Sequence, residues 1–184
     1  MKIPPDPESL RDRETVEFET ETRTLSRAEF ETARGLENHV AVGVTNESGE
    51  VLLVNDGSRG WTVPSVAVAP NEDWDSVGRR MAASLTGVDA ELDRPVRVRR
   101  VDFQREDDSE RRRTTYNIVV RTEPVTGRPI ADDPTVGRDE QPPGPEEDVE
   151  TKSPAVGEQE LLWLDRVPEG QSGEIAADIR SLLD

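Results

Sequence analysis

Between Gly60 and Val88 the apolar pattern of the chain changes period, and that change limits the fold more than any other feature. Trp61–Pro64 (WTVP) leads into Ser65–Ala69 (SVAVA), which reads as a short strand. Pro70 and Asn71 make a turn. Trp74, Val77, Met81, Leu85 and Val88 then recur at steps of three and four, one continuous apolar stripe on a helix of roughly Glu72 to Thr86. Asp73 or Asn71 is placed to cap its start, and Gly87 to close it.

The flanking segments extend this alternation. Thr15–Arg23 alternates in part and predicts a strand. Ser26–Glu29 is a capping box that opens a helix presenting Phe30 and Ala33 inward, with Gly35 where a C-terminal cap belongs. His39–Thr45, a turn at Asn46–Gly49, and Glu50–Asn55 form a hairpin. Pro95–Gln104 and Arg112–Thr122 read as two long strands around an acidic turn, Glu106–Glu110. The alternation slips at Arg99-Arg100, which predicts a bulge. Glu160–Asp165 is a strand and Ile175–Leu183 a final helix, with Ile175, Ile179, Leu182 and Leu183 inward. Strands and helices alternating irregularly give an α/β (α+β) chain, a mixed sheet between helices. Residues 1–36 are expected to be an N-terminal extension with a strand and a helix, and 37–184 one domain. Within it, Ala131–Glu158 carries prolines, acids and almost no large apolar residue, so 131–158 is expected to be a mobile loop.

Charge narrows the partners. Forty acidic residues stand against 23 basic ones, a formal net charge of -17, and only Lys2 and Lys152 are lysines. That composition suits a salt-accumulating halophile, where molar salt shortens the screening length to ~3 Å. It argues against duplex nucleic acid, which needs a basic face. The absence of cysteine excludes disulfides, thiolate metal sites and cysteine nucleophiles. No apolar run is long enough for a transmembrane helix, and the N-terminus has no signal-peptide core, so a cytoplasmic protein is expected.

The Gly60–Val88 segment resembles a Nudix box: Gly, five residues, Glu, seven residues, then Arg-Glu-U-x-Glu-Glu-x-Gly-U, with U bulky and apolar. Glu72, Arg80, Gly87 and Val88 fall on register. The tail is also similar, with Glu160 and Trp163 in a strand, then Pro168 and a helix. The resemblance spans about His39 to Leu183. It implies an α-β-α sandwich with a mixed sheet and, in an active member, hydrolysis of nucleoside diphosphate derivatives. Magnesium or manganese would hold the diphosphate and activate water.

The three metal-binding glutamates of the family fall on Met81, Ser84 and Leu85. A thioether and an isobutyl group cannot hold magnesium, and a hydroxyl is a weak neutral ligand. The opening glycine falls on Val66, preceded by Ser65. Glu72 reads as a peripheral metal ligand or as a first-turn acid that favours the helix dipole, and the second role is expected. Arg80, which in the family orients a glutamate, is expected to pair with Glu72 or Asp73. Glu158 and Glu160 could stand near the phosphate site, although solvated charges are the commoner outcome. The one histidine, His39, is expected to be structural or on the surface. Arg111–Arg113 could bind phosphate but adjoins acids, which favours a balanced hairpin end. Trp61 and Trp74 could stack a base, but core packing is commoner. Tyr116 and Phe103 are expected in the core.

Three readings follow. One is a Nudix-like protein with weak or absent hydrolysis that binds a nucleotide or nucleotide sugar. A second is an active hydrolase with a magnesium or manganese site rebuilt from Glu72, Asp73, Asp75, Glu158 or Glu160. The third is a non-catalytic interaction module. Neither substrate nor oligomeric state is legible.

Overall fold

The computed structural model describes residues 3, 6–55, 60–131 and 160–183. The acidic proline-rich loop lies outside them save for Ala131, as does Glu158.

A single 3-10 turn, Pro7–Leu10, is followed by β1 (Glu17–Leu25), α1 (Arg27–Ala33), β2 (Asn38–Gly43) and β3 (Val51–Asn55). Then come β4 (Trp61–Thr62), β5 (Ser65–Val68), α2 (Trp74–Thr86), β6 (Leu92–Arg105), β7 (Asp108–Thr122), β8 (Glu160–Leu164) and α3 (Gly173–Leu183). Local chemistry explains the helix ends. Ser26 and Glu29 form the reciprocal capping box at α1. Gly35 does not adopt the left-handed cap; α1 ends on Arg34 in right-handed geometry. At α2 the Asp73 carboxylate accepts from Ser76 N, and Gly87 at φ 79° returns its N–H to Ala83 O.

Five strands form a mixed sheet in the order β1-β6-β7-β2-β5, and three form a second sheet, β4-β3-β8. β1 runs parallel to β6 and β2 parallel to β7, while the β6–β7 and β2–β5 pairs are antiparallel. This is the mixed-sheet α+β architecture expected, but the expected hairpin over His39–Asn55 does not form one ladder: β2 and β3 belong to different sheets and are linked by the isolated Thr45–Val51 bridge.

The two long strands differ from expectation in detail. The turn between them is only Glu106 and Asp107, because Asp108–Glu110 already belong to β7. No bulge sits at Arg99-Arg100, where the register to Asn117 and Tyr116 is continuous; the shifts lie at Leu92/Arg94, Pro95/Arg97 and Gln104/Arg105. The slip in the apolar pattern has another cause. Val98 faces the α2 side with Ile118, whereas Val101 and Phe103 face the opposite side beneath Phe30 and Ala33 of α1. One strand is covered on both faces, by different elements at different points along its length.

On the α2 side the largest cluster joins Val40, Val42 and Ile118 of the sheet to Trp74, Val77, Met81 and Leu85 of α2, with Ile3 and Leu10 from the N-terminal segment. On the other side Val96 and Val119 pack with Ile179 and Leu182 of α3. Gly43 allows this approach, since a Cβ there would collide with the Leu182 methyls. No helix among the described residues is long and apolar enough to cross a membrane.

Candidate functional site

α2 carries Met81, Ser84 and Leu85, three positions the sequence singles out. Met81 and Leu85 are 5% and 0% exposed, both within the main core cluster. Each contributes roughly 1.5–3 kcal/mol of burial there. Ser84 is half-buried and donates to the Arg80 carbonyl one turn back, at 3.0 Å. Val66 is also buried in that cluster, from β5.

Of the remaining carboxylates, Glu72, Asp73 and Asp75 are already hydrogen-bonded within the fold. Glu72 accepts from Ala69 N at 3.0 Å and from Arg80 at 3.2 Å, so it ties the turn before α2 to the helix. Asp73 accepts from the amide and hydroxyl of Ser76. Asp75 accepts from Ile3 N at 2.7 Å, holding the N-terminal segment. Glu160 is exposed at the start of β8, opposite Asn55, in the second sheet. Among the described residues no three carboxylates or imidazoles converge on a point where a metal ion could sit. The residues present on this face do not fit a hard divalent cation, which wants several oxygen ligands about one centre.

The aromatic and basic candidates resolve differently. Trp74 is core, and Trp61 packs against the cluster under α3. Phe103 is buried beneath α1. Tyr116 donates to Glu8 at 2.8 Å, and burial together with that bond pushes its phenol up to about 12. Arg111 pairs with Asp108, and Arg113 donates to the Leu36 carbonyl.

Across the sheet from α2 lies a cavity of about 250 Å³. Strand register builds its floor. One row across the strands is Ala67, His39, Asn117, Arg99 and Glu19; the next is Ser65, Ala41, Val119, Arg97 and Glu17. Thr62 and Val63 wall one side, and Glu174, Ile175 and Asp178 of α3 the other. His39 Nδ1 lies 3.0 Å from the Glu37 carbonyl. A carbonyl only accepts, so Nδ1 carries a proton, and in that tautomer Nε2 is the acceptor.

Arg97 secures this side of the molecule. Its side chain is 3% exposed and reaches Asp178 at 2.5 Å, Glu174 at 2.9 Å and Glu17 at 3.7 Å, with Glu19 also in contact. Burial opposes the charge, but the bonds to Glu174 and Asp178 outweigh it and raise the guanidinium pKa. Burial raises the Asp178 pKa despite the Arg97 contact, with Glu174 adding to the effect. Arg97 therefore joins β1, β6 and α3 through one cation.

His39, expected to be structural or on the surface, lines this cavity, and the sequence reading singles out none of Arg97, Arg99, Asn117 or Asp178. His39, Asn117 and Arg99 stand on three separate strands, and only the pairing of β2, β7 and β6 places them in one row.

No family model and no curated protein matches the chain. Three of the solved structures to which the chain is similar follow. The first is the E. coli ORF135 protein in solution, at 17% identity and a TM-score of 0.39, covering 69% of this chain and 71% of that one. The second is a MutT protein from Methanosarcina mazei Go1, at 23% identity and 0.37, covering 53% and 73%. The third is a point mutant of the Bacillus subtilis pyrophosphohydrolase BsRppH, at 16% identity and 0.37, covering 73% and 66%. At these scores the likeness is loose.

Proposed function

We propose that this chain is a Nudix-fold protein whose box helix has become core, and that it binds a nucleotide-type small molecule across the sheet without hydrolysing it. The burial of Met81 and Leu85 carries the reading. Positions that face metal in the resembled family are here packed against strand side chains. Adding a carboxylate to either would bury an unpaired charge. The commitment of Glu72, Asp73 and Asp75 to hydrogen bonds within the fold supports the same conclusion.

The cavity supplies the binding chemistry. Asn117 offers an amide that can bond a heterocycle edge through two atoms, His39 an acceptor nitrogen, and Arg99 a cation. Ala41, Val63, Val119 and Ile175 supply apolar contact for the face of a ring. About 250 Å³ is smaller than the ~300–1,000 Å³ of whole-ligand sites, so one ring fits and the remainder of the ligand lies outside.

Calorimetry in molar potassium chloride tests this, with manganese and magnesium alone and then with nucleoside diphosphate derivatives. The expected result is no metal binding and nucleotide binding that EDTA leaves intact. Glu72→Gln is expected to change nothing measured. Metal binding at micromolar to low-millimolar strength, with metal-dependent phosphate release, would overturn the proposal.

A further inference from the structure

A second groove, of about 560 Å³, opens between the start of β1, the start of β6 and the last turns of α3. Two arginines enter it, Arg94 from β6 and Arg180 from α3. In a chain with 40 acids to 23 bases, arginines are readily paired, and Arg97 alone meets four carboxylates. Among the described residues Arg94 and Arg180 find no ion-pair or side-chain hydrogen-bond partner, and the Nε of Arg94 is buried without one.

We propose that this groove binds a small oxyanion of the phosphate class. Guanidinium groups match phosphate oxygens in a planar, paired geometry, and the hydroxyls of Thr15 and Ser181 line the same groove. Glu14 and Glu17 also line it. The Glu17 carboxylate approaches Arg97, at 3.7 Å from its Nε, and Glu14 is exposed at the rim. The carboxylates therefore limit access to compact anions that reach past them to Arg94. The site is separate from the His39–Asn117 cavity, and either can fail without the other.

Titration of inorganic phosphate at constant ionic strength, read by calorimetry and by the shift in melting temperature, tests it. Phosphate is expected to bind and to raise the melting temperature of the native chain. Arg180→Gln, at an exposed position, is expected to weaken binding at least tenfold, and the Arg94→Gln/Arg180→Gln pair to abolish it. His39→Ala is expected to leave it unchanged. A nucleoside monophosphate that binds more tightly than phosphate, with the excess lost in the double variant, would identify the anion as part of a larger ligand. Equal affinity would identify free phosphate. No phosphate binding, or equal binding by native chain and double variant, overturns the proposal.

Discussion

The two faces of the five-stranded sheet are built from the same strands and have opposite characters. The α2 face is closed: Met81, Leu85, Val66 and the N-terminal Ile3 and Leu10 fill it with apolar side chains. The α3 face keeps an open cavity and commits a buried cation, Arg97, to holding its wall in place. α2 keeps the caps and the apolar spacing that its sequence predicts, while the cavity lined by polar groups lies behind the sheet.

The severest test of this contrast is Leu85→Glu. If the α2 face is core, the charge has no partner and the chain is expected not to fold; Leu85→Ala should cost about 2–5 kcal/mol in denaturant unfolding. A folded Leu85→Glu variant that binds manganese would end the contrast outright.

Next is Arg97→Met. Four carboxylates would lose their shared cation, and a loss of about 3–5 kcal/mol is expected, as for other broken buried pairs. An unchanged midpoint would mean that α3 does not depend on the cluster. His39→Ala and Asn117→Ala probe the contrast from the other side. They are expected to weaken nucleotide binding at least tenfold while shifting stability by less than about 1 kcal/mol, since neither side chain is core.

Smaller effects come from charge. With a net charge of -17, the melting temperature is expected to rise from dilute buffer to molar potassium chloride, and equal values would refute the halophilic reading. The smallest concerns the N-terminal segment. The Tyr116 phenol lies above its ordinary 10.0, so its contribution is full below pH 10 and lost as pH rises toward about 12. For Glu8 burial works against the charge, but bonds from Tyr116, Arg11 and Arg100 hold its carboxyl below the ordinary 4.5. That contribution is present above pH 4.5 and lost as pH falls below it. Spectrophotometric titration of the single tyrosine is expected to give a midpoint near 12, falling toward 10 in Glu8→Gln.

Local elements are readable because their causes are local. The Ser26–Glu29 box, the Gly87 cap and the α2 stripe each depend on residues within a few positions of one another. The β6 pattern misleads for the converse reason. Val98 and Val101 obey two different neighbours, α2 and α1, and a single strand cannot announce which element covers which stretch. The expected loop, save for Ala131, and Glu158 lie outside the described residues.

Composition and short-range spacing were enough to set the helix and strand periods, most of the caps and the excess of acids. It took the assembled sheet to seal Met81 and Leu85 in, to commit Glu72 to Ala69 and Arg80, and to bring His39, Asn117 and Arg99 into one row. Strand register accounts for the difference. Residues 39, 99 and 117 become neighbours only when three strands pair, and no local pattern encodes that pairing.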